Sequence, residues 1–138
     1  MSTATDSATR LEDGGHRLTA PRRAVLSAIA RSRRPFTIEE LCERVPGTGR
    51  ATVFRTVKLL QELDLVCRVP LEDGGVRYQH ARSGEHHHHL ICNSCGSVTE
   101  FSDPSLDAAV EQNAAAAGFE LDGHSAELYG RCGSCVPI

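Results

Sequence analysis

Apolar positions recur with two different periods along the chain. Residues 1–16 are polar and glycine-containing and are expected to form a loose arm. Thr19 can cap a helix that runs through Ser32, with Pro21 tolerated in its first turn. Val25, Leu26 and Ile29 form the buried stripe of that helix. Pro35 breaks it. Thr37-Ile-Glu-Glu40 has the spacing of a capping box and opens a short helix to Arg44. Pro46-Gly47 is the next turn. A third helix is predicted from about Gly49 to Leu63, with Thr48 as its cap. It places Val53, Val57 and Leu60 on a core face and Ala51, Phe54, Arg55 and Lys58 on an outward one. The period then changes to two. Val66–Val69 and Val76–His80 read as strands joined by the glycine-rich turn Leu71-Glu-Asp-Gly-Gly75. Beyond Ser83-Gly84, His86–Cys92 and Ser97–Phe101 are predicted strands. Pro104–Ala117 is an alanine-rich helix ended by Gly118, and Phe119–Tyr129 is a further strand region.

Charge divides the 138-residue chain at the same place. Residues 1–82 carry 14 Lys and Arg against 10 Asp and Glu, a balance of +4; residues 83–138 carry one Arg against eight acids, a balance of −7. Two domains are therefore expected, 1–82 and 83–138, the first suited to an anionic partner and the second to cations. With no tryptophan and few aromatics, each core is small. No apolar run reaches the length of a membrane span and the first residues lack an apolar leader core, so a cytoplasmic chain without membrane partners is expected.

The richest stretch is His86-His-His-His-Leu-Ile-Cys-Asn-Ser-Cys95, and a second Cys-x-x-Cys, Cys132 to Cys135, lies near the other end. Two such pairs supply four thiolates, a complete tetrahedral set for zinc with no position left for water, which is a structural site. Three plainer readings compete. The histidines could be an affinity-tag scar, but the run is internal and continues into Leu90 and Ile91. The even cysteine count could mean disulfides, which a reducing compartment disfavours. A thioredoxin-like redox pair would leave the second pair unexplained. Cys42, on the second predicted helix, is assigned to packing.

A basic third helix after two others, followed by a hairpin, is the element order of a winged helix-turn-helix, whose recognition helix enters the major groove. Arg55 and Lys58 alone would be an ordinary solvated helix face. Together with Arg22, Arg23, Arg50 and the hairpin they favour double-stranded DNA as partner, with Arg55 suited to a guanine edge.

Four consecutive histidines on a strand point alternately to opposite faces. His87 and His89 share one face, where His80 and Cys67 are candidate co-ligands. His86 and His88 share the other, where Asp107 and His124 are available. Either His80 or His124 alone would be an ordinary polar residue, and Cys67 alone a small buried one. An ion shared between domains would couple its occupancy to their angle, by about 1–3 kcal/mol.

Leu18-Thr-Ala-Pro-Arg22, Ala51-Thr-Val-Phe-Arg55-Thr, the His86–Gly96 stretch and His124 through Leu128-Tyr-Gly-Arg-Cys132-Gly-Ser-Cys135 together resemble the ferric uptake regulator (Fur) superfamily of bacterial metal-responsive repressors. The resemblance implies an α+β fold: an N-terminal winged helix-turn-helix, then a small α/β dimerisation domain with a structural zinc on Cys92, Cys95, Cys132 and Cys135. It also implies a hinge sensor using His87 and His89, a second regulatory site on His86, His88, Asp107 and His124, and DNA contact through the pair Phe54-Arg55; Arg22, Arg50, Thr52 and Lys58 are the further candidate DNA contacts. Several positions depart from the family. Phe54 stands where Tyr is usual, and Ala81 where zinc sensors often carry Cys. His88 stands where iron sensors often carry Asp, and the iron sensors' carboxylate near His80 and histidine near Pro35 are both missing. A carboxylate-free hinge set of His80, His87, His89 and Cys67 suits zinc over iron. The expectation is a homodimeric, zinc-responsive repressor of metal-uptake genes acting on operator DNA, without catalytic activity or small-molecule substrate. An iron- or peroxide-responsive regulator is the alternative. A zinc hydrolase with Glu85 as base, or a metal buffer, are more distant ones.

Overall fold

The computed structural model describes residues 3–81 and 87–136, which fall into two units, one ending at Gly84 and one beginning at Glu85. In the first, α1 (Thr3–Asp13), α2 (Ala20–Ala30), α3 (Ile38–Arg44) and α4 (Arg50–Glu62) precede an antiparallel hairpin of β1 (Val66–Pro70) and β2 (Val76–His80). Thr19 caps α2 by accepting the Arg22 N–H at 3.3 Å, with Pro21 in the first turn. Thr37 caps α3 by accepting the Glu40 N–H at 3.1 Å, while the Glu40 carboxylate accepts a bond from Arg77 on β2 at 3.2 Å. α4 starts from Gly49 without a side-chain cap, so the expectation of a Thr48 cap is corrected.

The core of this unit is one cluster. Val25, Leu26 and Ile29 of α2, Leu41 of α3, and Val53, Val57 and Leu60 of α4 meet Phe36 and Val66. Burial of these side chains, at roughly 25 cal/mol per Å² of apolar area, drives the packing. Phe36 is fully buried, and its backbone N–H and C=O both bond to Tyr78, which ties the loop before α3 to the hairpin. The hairpin turn needs a left-handed residue, supplied by Gly74 (φ 89°).

Residues 3–13 are helical, which corrects the expectation of a loose arm. Leu11 is fully buried and Ser7 nearly so, one turn apart on one face. Arg10 reaches the carbonyl of Leu63 at 2.8 Å, satisfying a backbone acceptor at the end of α4.

The second unit is a three-stranded sheet in the order β4–β3–β5 with one helix. β3 (His88–Cys92) runs antiparallel to β4 (Val98–Phe101) and parallel to β5 (Glu127–Gly130). α5 (Pro104–Ala116) is capped by Asp103, whose carboxylate accepts the N–H groups of Ser105 and Leu106, and Gly118 (φ 81°) ends it. The strand region expected over Phe119–Tyr129 is corrected: only Glu127–Gly130 pairs, and the residues before it, His124 included, run as a loop. The start of the predicted strand at His86 lies outside the described residues. Among the described residues no helix is long and apolar enough to cross a membrane.

Phe36→Ala should lower the unfolding free energy of the N-terminal unit by about 3–5 kcal/mol, read as a fall in urea midpoint at unchanged zinc content.

Candidate metal centres and nucleic-acid face

The cysteines come together because of strand order. β3 and β5 are parallel neighbours with Cys92 opposite Gly130, so the segments leaving both strands emerge side by side. Cys92 ends β3, Cys95 lies in the turn after it, and Cys132 and Cys135 follow β5. The four Sγ atoms lie within 4.8 Å of one another, and Cys95 and Cys132 are 3.8 Å apart. A tetrahedron with Zn–S bonds of about 2.3 Å has S···S edges of about 3.8 Å. All four thiols are free. The backbone N–H groups of Cys132 and Cys95 point at the Cys92 sulfur, at 3.3 and 3.5 Å. These donors hold the Cys92 thiol down at about 6. Cys95 is also lowered, chiefly by the Ser97 hydroxyl. The neighbouring sulfurs, Cys132 first and then Cys92, push Cys135 up to about 12. Four sulfurs at this spacing cannot all ionise without a cation among them, and a dication removes that conflict. The cluster fits the expected structural zinc.

The alternation of β3 separates the histidines. His88 is fully buried; its Nε2 lies 2.8 Å from Asp107 Oδ1 on α5. His124 Nε2 is 3.1 Å from the same oxygen. His88, Asp107 and His124 thus form one three-donor set within 4.8 Å, walled by Phe101. His86, expected as their fourth member, lies outside the described residues.

On the opposite face, the rings of His87 and His89 meet edge to face at 5.0 Å. His87 Nε2 is 3.7 Å from Glu100 Oε1. Burial, then the neighbouring His87, lowers the pKa of His89, keeping it neutral and able to donate a lone pair. Glu100 is the residue that sequence reasoning missed. It is the acid within the predicted strand Ser97–Phe101, and the β3–β4 register pairs it with His89. The expectation of a carboxylate-free set is therefore corrected.

The other two proposed sensor ligands belong to the N-terminal hairpin. Val66 pairs with His80 and Cys67 with Gln79, so Cys67 and His80 point to opposite faces of the ribbon. Each face of the ribbon therefore presents one of the two donors. The Nε2 of His80 is buried without a hydrogen-bond partner among the described residues, as a ligand nitrogen awaiting an ion would be. The Cys67 thiol lies 3.7 Å from the carbonyl of Gln79.

The basic face of α4 also takes the expected form. Val53, Thr56, Val57 and Leu60 are buried, while Ala51, Phe54, Arg55 and Lys58 are exposed and Thr52 is half-buried. Phe54 is 51% exposed, unusual for so large an apolar side chain. Arg50 is paired with Glu39 of α3, and each holds the other in its charged form. Arg22 donates to the carbonyl of Arg17 at 2.6 Å, which fixes its guanidinium beside the start of α2.

A four-sulfur cluster and imidazole–carboxylate sets in the second unit, with a basic helix before a hairpin in the first, are the features of a metal-responsive transcriptional regulator. The chain belongs to the ferric uptake regulator family, whose model matches residues 13–129. The ferric uptake regulation protein of Campylobacter jejuni is 34% identical over 131 residues, spanning 91% of this chain and 83% of its own. A structure of the ferric uptake regulator from Francisella tularensis with iron superposes with a TM-score of 0.70 at 28% identity, covering 88% of this chain and 95% of that one. A zinc uptake regulator complexed with zinc and DNA gives 0.79 at 23% identity, covering 98% and 95%; at that identity the likeness is one of fold.

Cys92→Ser or Cys135→Ser should remove about one zinc per chain and unfold the C-terminal unit, because structural zinc contributes about 10–16 kcal/mol in small sites. Metal analysis beside far-ultraviolet circular dichroism checks both. Asp107→Asn should leave that zinc in place and weaken the second, weaker metal-binding event in a competitive chelator titration.

Proposed function

We propose that this chain is a homodimeric repressor whose binding to operator DNA in the cytoplasm is switched by a reversibly held metal, with zinc as the leading ion, and that it shuts off metal-uptake genes. The single observation carrying the reading is the separation of ligand types in the C-terminal unit. One set is all sulfur and suits a permanent ion; two others combine imidazole with carboxylate and suit an exchangeable one. Ligands surplus to folding serve sensing. On ligand chemistry alone, one donor of the hairpin, Cys67 or His80, is proposed to complete the set of His87, His89 and Glu100.

DNA contact is proposed through Thr52, Phe54, Arg55 and Lys58 of α4, with Arg22 and Arg50. Phe54 can meet a thymine methyl and Arg55 a guanine edge. Dimerisation is supported by the exposed apolar side chains of the C-terminal unit, Leu90, Leu128, Tyr129, Phe119 and Leu121, and by β5, an edge strand of its sheet. No catalytic role is proposed: the sulfur set is closed, and the base invoked for hydrolysis, Glu85, lies outside the described residues.

A second reading, an iron(II)-responsive regulator, is favoured by Glu100, since a carboxylate beside two imidazoles also suits iron(II) or manganese. Gel shifts on duplexes selected from a random pool, with zinc, iron(II) or manganese added after mild chelation, separate the two. Zinc is expected to tighten binding by about 5–150-fold; tightening by iron(II) alone would move the assignment to the second reading. His87→Ala should keep the dimer and its sulfur-bound zinc but lose the metal effect. Equal affinity of the stripped, still-dimeric protein would sink the metal switch altogether.

A further inference from the structure

Four arginines gather where the sequence reading gave them no task. The C-terminal ends of α2 and α3 border an open cavity of about 560 Å³ lined by Ala28, Arg31, Ser32, Arg33, Arg34 and Arg44. Its wall is partly preset. The Ser32 hydroxyl donates to the Ala28 carbonyl at 2.9 Å and accepts from Arg44 at 2.6 Å, which holds one guanidinium at the rim.

Two ordinary explanations fall short. Cations do complement helix C-termini, but two such ends carry only about half an elementary charge each, against four guanidiniums. Neighbouring acids could neutralise the group, yet of the three acids of α3 Glu39 pairs with Arg50 and Glu40 with Arg77, which leaves Glu43 alone against four guanidiniums. Among the described residues none of Arg31, Arg33, Arg34 and Arg44 forms an ion pair. A pocket with this surplus of planar, bidentate donors lacks an anion.

The cavity is also separate from the proposed DNA face. Thr19 and Arg22 lie at the start of α2, and 11 residues at 1.5 Å each put its end about 16 Å away. The depression between these exposed arginines has a volume of the size that small ligands occupy.

We propose that this arginine-walled cavity binds a small ligand through a multiply charged phosphate group, such as an inorganic polyphosphate or the phosphates of a nucleotide. Pyrophosphate is the probe. Titrated into the full-length, zinc-loaded protein, it should saturate at one per chain and shift the backbone amide resonances of Arg31–Arg34 and Arg44. The double variant Arg33→Gln/Arg44→Gln should weaken it about tenfold or more, while Arg55→Gln/Lys58→Gln should leave it unchanged. ATP binding more tightly than pyrophosphate would extend the site to a nucleotide; equal binding would confine recognition to the phosphates, and both support the proposal. The proposal fails if pyrophosphate does not saturate, if the cavity variant binds it as wild type does, or if the α4 variant loses as much. It also fails if the cavity arginines prove to be needed for non-operator duplex binding but not for pyrophosphate, which would make them a DNA contact. Metal-dependent operator binding is scored separately, so either result leaves the repressor reading independently testable.

Discussion

Four sulfur atoms brought within bonding distance of one cation are the constraint on which the C-terminal unit depends. Its own core is slight: α5 buries no residue, and on β3 the buried positions are His88, His89, Ile91 and Cys92. A unit of this size cannot offset its chain entropy with so little apolar burial. The sulfur cluster joins the end of β3 to the segment after β5, across a parallel pairing that has no short connection of its own. Fixing that pairing fixes the pleat of β3. The pleat then decides which histidine faces Asp107 and which faces Glu100. The sulfur cluster thereby sets the geometry of the imidazole–carboxylate sets.

Burying imidazoles instead of aliphatic side chains has an energetic consequence. Each buried ring nitrogen must find a partner or be penalised. Asp107 serves His88 and His124 with a single oxygen, and Glu100 stands beside His87. Such groups are oriented by one another and convergent, so an ion entering them finds little left to reorganise. The acidic balance of residues 83–138 lowers the cost of bringing a dication there.

Much of this was legible in the residue order. The two Cys-x-x-Cys pairs gave the sulfur set, and the period-two pleat sorted His87 and His89 from His88. The i, i+4, i+7 spacing of Val53, Val57 and Leu60 gave the inner face of α4. What escaped depended on tertiary partners. α1 presents a single large apolar residue, Leu11, inward, with small Ser7 beside it, a signal too sparse for a periodic reading. Glu100 gains its meaning only from strand register, as does the placing of Cys67 and His80 on opposite faces of their ribbon. Thr48 lost its capping role because α4 begins one residue later than the Gly49 start assumed for it.

Charge in the N-terminal unit follows a comparable division of labour. The acids of α3 are not spread evenly against the unit's arginines. Glu39 takes Arg50 and Glu40 takes Arg77, each joining α3 to another element. Both pairs are exposed or nearly so and contribute little to stability. Their larger effect is to leave other cations uncompensated in two separate places. One is the outward face of α4, where Arg55 and Lys58 flank an exposed aromatic ring; the other is the arginine cavity behind α2. Glu62, one turn beyond Lys58, and Glu43, beside Arg44, are outnumbered by the cations around them, so each place keeps a local positive balance that favours an anion: a duplex groove for the first and a compact charged group for the second.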